Sequence, residues 1–485
     1  MRRLRGGISL GPRGTETTEL RYVSTRGAAA ILDFDDVLLA GLASDGGLYV
    51  PEVWPRLTTD EIAALAGLPY AEVAVRVMAP YIGGRIPAGR FRAMVEETYA
   101  GFDHPAVAPL VEIEDGLWLM ELFHGPTLAF KDYALQLVGR LFDHVLSARG
   151  EHVTVIGATS GDTGSAAIEA CRDSDRVEIF MLHPKGRVSE VQRRQMTTVA
   201  SANVYNIAIE GTFDDCQDLL KAMFGDAAFR RDVRMTAVNS INWARVMAQI
   251  VYYFYAAVQV GGPGRPVAFA VPTGNFGNVF AGFAATRMGL PVAGFAVGSN
   301  RNDILARYFD SGRMTATEVV PTLSPSMDIQ VSSNFERLVF ELLGRDGAAV
   351  AAAMTGFRER GILDIGAAHW QAARRLFSGH RFDDDATLAE MRRLHDATGM
   401  LIDPHGAVGL AAARAAKGDA PMVALATAHP AKFPDAVEKA TGARPALPPH
   451  LADLFDRVEH CETLPNDLAA VESYIRAHTA LQGAA

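Results

Sequence analysis

Cysteine and lysine are both scarce in this chain. Only three cysteines occur among 485 residues, Cys171, Cys216 and Cys461, far apart and with no C-x-x-C pair. A disulfide framework and a zinc knuckle are thereby excluded, and the usage fits a reducing, cytoplasmic compartment. Of 46 basic Lys and Arg residues only six are lysine (131, 185, 221, 417, 432 and 439), so the candidates for an amine nucleophile are few. Long apolar runs are missing too. The longest, Val246 to Val260, is broken by Gln249 and Gln259; it is too short to span a bilayer and reads as a buried helix. The opening residues MRRLRGGISL are basic but lack the apolar run of about 7–15 residues of a secretion signal, and Glu16 and Glu19 disfavour an organelle leader. No long basic patch occurs and the formal charge is −10, so nucleic acid and membrane are not expected partners.

What remains is ordinary globular material, 49% hydrophobic and 21% charged. A chain this long can bury a large core without staples, and its length predicts roughly three structural units. Residues 1–20 are Gly/Arg/Thr-rich and aperiodic and are expected to be a disordered extension. Residues 21–110 read as mainly helical: Thr-Thr-Asp-Glu at 58–61 is a capping signal for a helix to Leu65, and Ala88–Tyr99 has helical spacing. From Leu117 onward short apolar runs alternate with helical segments. The strands are Leu117–Leu122, Val153–Ala158, Val177–Leu182, Val204–Ile209, Val267–Val271, Val292–Val297 and Met422–Ala426, each followed by a helix. Such alternation predicts an α/β fold with parallel sheets covered by helices. The units fall into two groups, 117–211 and 265–300 plus 421–441. In such sheets the site lies beyond the carboxyl ends of the strands.

The segments after the strands carry the chemistry. After Leu122 comes FHGPTLAFKD, which puts Lys131 at a helix start, where the helix dipole disfavours its charged form and favours nucleophilic amine. Alone, a first-turn lysine is more often simply solvated. After Ala158 comes Thr159-Ser160-Gly161-Asp162-Thr163-Gly164, whose free helix amides suit a carboxylate or phosphate, or else form an ordinary cap. After Val271 comes Pro272-Thr273-Gly274-Asn275-Phe276-Gly277-Asn278, a second anion cradle that is not the dinucleotide fingerprint. After Ala426, Thr427 offers a hydroxyl, and His429 offers a ligand or base, although a lone histidine beside proline is more often structural. Polar stretches at 239–245 and 326–334 have side chains suited to oxyanions. One amine, two cradles and a hydroxyl together fit pyridoxal 5′-phosphate, which needs an amine for its aldehyde, a nest for its phosphate and a partner for its ring nitrogen.

Further stretches, read in order, point to a family: YVSTRG (22–27), LFHGPTLAFKD (122–132), GATSGDTGSAA (157–167), HPKGRVSEVQRRQM (183–196), NSINWARVMAQIVYY (239–253), VPTGNFGNVFAG (271–282), MDIQVSSNFERL (327–338), DPHGAVG (403–409) and ATAHPAKFPDAVEKA (426–440). The sequence resembles the threonine synthases, pyridoxal-phosphate enzymes of the tryptophan-synthase-β-like, fold type II kind. The resemblance implies two three-layer parallel-sheet domains behind the helical region at 21–110: a larger cofactor-binding one from 111–130 and 262–470, and a smaller one from 131–261. It implies conversion of O-phospho-L-homoserine and water to L-threonine and phosphate, the last step of threonine biosynthesis, by a monomer or homodimer. Carried over, Lys131 looks like the Schiff-base lysine. Gly274, Asn275, Phe276, Gly277 and Asn278 look like the cofactor phosphate cradle, and Thr427 like the hydroxyl facing the pyridine nitrogen. Ser160, Gly161, Asp162 and Thr163 look like the loop for the substrate carboxylate, with Lys185, Asn242 and Arg245 proposed for its phosphate and Ser160 as a further candidate there. A phospholyase or a hydroxyamino-acid dehydratase of the same fold is the alternative. No metal is expected.

Overall fold

A computed structural model describes residues 20–236, 240–262 and 264–479. All of the expected extension except Leu20 lies outside the described residues, as does Asn239. The chain opens with a small antiparallel pair, β1 (Tyr22–Ser24) and β2 (Tyr49–Pro51), set among the helices Phe34–Ala40, Thr59–Ala63, Tyr70–Ile82 and Ala88–Tyr99. Thr58 forms the expected capping box with Glu61.

Two parallel sheets follow. The larger uses β3 (Leu110–Glu114), β4 (Leu117–Glu121), β9 (Val267–Pro272), β10 (Val292–Ser299), β13 (Phe377–Arg381) and β14 (Met422–Ala426), in the order β13-β10-β9-β14-β4-β3. Only β3 runs antiparallel. The smaller uses β5 (Val153–Ala158), β6 (Val177–Pro184), β7 (Val204–Glu210), β8 (Met235–Thr236) and β15 (Glu462–Pro465), in the order β15-β7-β6-β5-β8. A further antiparallel pair, β11 (Arg313–Thr315) and β12 (Ile362–Asp364), stands apart.

Two expectations change. The strand at Leu117 does not group with those of 153–211; it pairs in parallel with β14, some three hundred residues later. Residues up to 470 do not all belong with the larger sheet either, because β15 is the edge strand beside β7. The helix after it, Leu468–His478, sends Val471 and Ile475 into the apolar cluster under that sheet.

Both faces of the larger sheet are covered, which explains why its strands are apolar at successive positions rather than alternating. In β14, Val423 and Leu425 join one cluster while Met422, Ala424 and Ala426 join the other. The first cluster is built round the helix Trp243–Val260, which is buried at every position from Trp243 to Val258. The run of 246–260 is thus a central pillar. It packs on the helices Tyr70–Ile82, Asp132–Arg149 and Gly277–Arg287, tying all three regions together. Among the described residues no helix is long and apolar enough to cross a membrane.

Candidate active site

The loop from 125 to 132 is folded onto itself. Asp132 accepts from the Thr127 N–H (2.9 Å) and Thr127 Oγ1 (2.7 Å), and Leu128 takes a positive φ of 64° to make the turn. Residues 128–130 then run against 427–429: Phe130 N–H donates to Thr427 O (2.9 Å) and His429 N–H to Leu128 O (3.0 Å). This brings Lys131, at the start of the Asp132–Arg149 helix, beside the carboxyl end of β14. Lys131 is buried, and that burial, together with the nearby charges of Lys432 and Arg245, lowers its pKa against the opposing pull of Asp162. The sequence expectation of a depressed amine therefore stands, but desolvation leads among its causes.

Asp162 is the centre of the site. Its Oδ2 accepts from Lys131 Nζ (3.2 Å) and Ser326 Oγ (3.1 Å). Its Oδ1 accepts from Gln192 Nε2 (2.8 Å) and Lys432 Nζ (2.8 Å). Burial alone would raise this carboxyl, yet Lys131, Lys432 and His405 hold it well below the ordinary carboxylate range. The loop carrying it needs glycine. Gly161 has φ 139°, and a Cβ there would lie 2.5 Å from Gln192 Cδ. Thr159 Oγ1 accepts from the Gly161 and Gly164 amides (both 2.9 Å), which fixes the helix start (Asp162–Cys171). Ser160 and Thr163 are half-buried at its mouth.

The second cradle opens the Gly277–Arg287 helix. Phe276 adopts φ 61° and buries its ring against Phe309, Phe335 and Phe377. Its N–H goes to Thr273 Oγ1 (3.0 Å). Asn275 accepts from Ser333 N–H (2.8 Å) and donates to Ser240. Asn278 Oδ1 accepts from Tyr252 (2.6 Å) and Tyr253 (2.8 Å) of the central helix, while its Nδ2 is buried with no partner among the described residues. Gly274 leaves room that a side chain would fill, since a Cβ would sit 3.0 Å from Met327 Cα. First-turn amides have no intrahelical acceptor, so this end of the helix is built for an anion.

Three expected substrate residues are placed differently from one another. Arg245 is buried near Lys131, and desolvation lowers it to about 10. Asn242 is wholly enclosed and caps Arg245's turn, accepting from Ala244 N–H (2.9 Å) and donating to Leu38 O (2.8 Å). Lys185 is exposed just past β6, paired with Glu210 at 3.2 Å. Thr427 is buried at the end of β14. His429 Nδ1 accepts from Ala431 N–H (3.1 Å), and burial lowers its pKa to about 4.

Sequence reasoning missed Lys432, Gln192, Ser326 and His405. His405 Nδ1 lies 2.6 Å from Asp403, and its Nε2 accepts from Ser326 N–H (3.1 Å). All four lie within or beside stretches already singled out, but only folding brings them to Asp162. Among the described residues no cluster could hold a metal ion.

Three family models match successive parts of the chain: "Threonine synthase N terminus" over 21–99, "Pyridoxal-phosphate dependent enzyme" over 102–356 and "Threonine synthase, C-terminal" over 406–475. The threonine synthase of Pseudomonas aeruginosa is 58% identical over 462 residues, which is 95% of this chain and 98% of that protein. The chain belongs to the threonine synthase family. Solved relatives agree with the fold. The PLP-bound threonine synthase from Brucella melitensis has a TM-score of 0.93 at 53% identity, covering 95% of this chain and 100% of that one. The yeast threonine synthase has a TM-score of 0.89 at 36% identity, covering 96% and 99%. The fold type II architecture and the pyridoxal-phosphate class both follow from this membership.

Proposed function

We propose that this chain converts O-phospho-L-homoserine and water to L-threonine and phosphate, with pyridoxal 5′-phosphate as cofactor. One observation supports this most: a buried lysine of lowered basicity bonds to the Asp162 helix start at the end of one parallel sheet, while a second glycine-shaped helix start opens at the end of the other. The residues fit the cofactor. Lys131 offers an amine, as a Schiff-base partner for its aldehyde. The Gly274–Asn278 turn offers amides and the unpartnered Asn278 Nδ2, and Thr427 a neutral hydroxyl for the ring nitrogen. When bound, the cofactor supplies an electron sink that makes the substrate α-proton removable.

The chain's own residues do the rest. Lys131, once its amine is free, takes the proton at the α-carbon and returns protons along the chain toward the β-carbon. The Ser160, Gly161, Asp162 and Thr163 loop orients the substrate carboxylate on its amides. Arg245 and the exposed lysine Lys185 attract the phosphate that leaves the γ-carbon. Thr427, being neutral, does not force a proton onto the ring and so restrains side reactions. A cytoplasmic location belongs to the same reading, supported by three unpaired cysteines.

The test is a coupled assay on O-phospho-L-homoserine. Threonine and phosphate are expected in equal amounts; phosphate with 2-oxobutyrate instead would establish the alternative lyase. Borohydride trapping and peptide mapping should place the cofactor on Lys131.

A further inference from the structure

Lys432 is the one buried lysine besides Lys131, and it is enclosed completely. It ends a single 3-10 turn, Pro430–Lys432, directly after β14. Its backbone is held from both sides: its N–H donates to His429 O (3.0 Å), and its carbonyl accepts from Ser189 Oγ (3.3 Å). Its Nζ donates to Thr127 O (2.7 Å) and pairs with Asp162 Oδ1 (2.8 Å). The two oxygens of Asp162 are thus divided, one toward Lys432 and Gln192, the other toward Lys131 and Ser326.

We infer that Lys432 is a positioning residue for Lys131: its ammonium holds the Asp162 carboxylate charged and in place while Lys131 gives up its proton. The inference rests on the reading that Lys131 carries the cofactor. Charge counting supplies the reason. With Lys131 protonated, the three side chains carry a net charge of one positive unit; with Lys131 neutral they carry none. A buried site favours the smaller net charge, so Lys432 biases Lys131 toward its neutral, reactive form. Without Lys432 the count reverses. Asp162 would then have Lys131 as its one bonded ammonium, and a neutral Lys131 would leave the carboxylate with none. The other charged or titratable groups facing this cluster are Arg245 from the central helix, the Asp403–His405 pair and Asp132. These groups are the same with and without Lys432, so they set where the Lys131 titration lies and not which way the loss of Lys432 moves it.

The experiment uses the full-length chain freed of cofactor, with pyridoxal 5′-phosphate as probe. The rate of attachment is followed against pH, and the linked peptide is mapped after borohydride reduction. Attachment needs neutral amine, so the inflection of the profile reports Lys131. In Lys432→Met the inflection is expected to rise by at least about one pH unit, a tenfold change in neutral fraction at fixed pH. Lys432→Arg should bring it back to near that of the unaltered chain, which loss of mere packing would not do. Should Lys432→Met fail to fold, Asp162→Asn serves in the same titration and is expected to lower the inflection. An inflection unmoved in Lys432→Met, or in Asp162→Asn, overturns the inference, as does one shifted equally in Lys432→Arg. Attachment at Lys131 with an unmoved inflection defeats this inference alone; no attachment at Lys131 in the unaltered chain defeats the functional reading and this inference with it.

Discussion

Replacing Asp162 by asparagine probes how far a single carboxylate holds the two halves of the site together. The side chain is buried and accepts four hydrogen bonds, two of them from ammonium groups, at 2.8–3.2 Å. An amide keeps one accepting oxygen but turns an NH2 toward a lysine, and Lys432, wholly enclosed, loses its anion. Breaking one side of a buried ion pair costs about 3–5 kcal/mol, because the remaining charge is left uncompensated. The unfolding free energy at pH 7, from urea titration followed by circular dichroism, should therefore fall by about that amount. The pH dependence separates this from simple misfit. In the folded chain the Asp162 pKa lies well below its ordinary value. Its stabilisation is therefore complete above the unfolded carboxyl pKa of about 3.9, and is lost as pH falls through the folded value. The gap between the unaltered chain and Asp162→Asn should be constant from pH 7 to about 5 and narrow below about 4. A gap under about 1 kcal/mol at pH 7, or one that stays constant well below pH 4, would refute the reasoning.

Other substitutions test other parts of the site. Gly161→Ala sets a Cβ against Gln192 at φ 139° and should cost about 1–3 kcal/mol with a matching loss of kcat/KM; a variant as stable and active as the parent removes the strain argument. Lys185→Ala removes an exposed cation whose pairing with Glu210 is worth little. KM for O-phospho-L-homoserine should rise several-fold with kcat nearly kept, and an unchanged KM takes Lys185 out of the substrate site. Thr427→Asp puts a carboxylate where the ring nitrogen is expected, and product analysis should show more oxo-acid by-product per threonine; an unaltered ratio denies the hydroxyl its restraining role.

Local features of the fold were readable in the sequence because they depend on local physics. Ala88–Tyr99, Val153–Ala158, Met422–Ala426 and Pro434–Thr441 end where their spacing and turn residues end them. Partnerships between strands were not readable. Leu117–Glu121 lies next to β14 because both its faces are buried there, and no pattern within five residues encodes a partner that far along the chain. Glu462–Pro465 (ETLP) is half polar and exposed at a sheet edge, so no apolar alternation marks it. The site divides in the same way. Lys131 and Asp162 could be found from turns at strand ends. Lys432 could not, since a lysine in a His-Pro-Ala-Lys turn gives no sign of whether it faces water or a carboxylate 270 residues earlier in the chain.

That carboxylate also explains why the site needs both sheets. Asp162 comes from the end of β5 in the smaller sheet, whereas Lys432 follows β14 of the larger, and Ser326 lies on the segment that also backs Gly274. Thr127 O binds the halves a second time, accepting from Lys432 Nζ and from Gln195 Nε2 (3.1 Å). Lys131 sits between these attachments, on a helix that packs against both the Asp162–Cys171 helix and the central Trp243–Val260 helix. A shift of one sheet relative to the other therefore alters the distances from one carboxylate to two amines at once. Electrostatic energy inside a low-dielectric site varies steeply with such distances, so the protonation of Lys131 is coupled to the fit between the two halves.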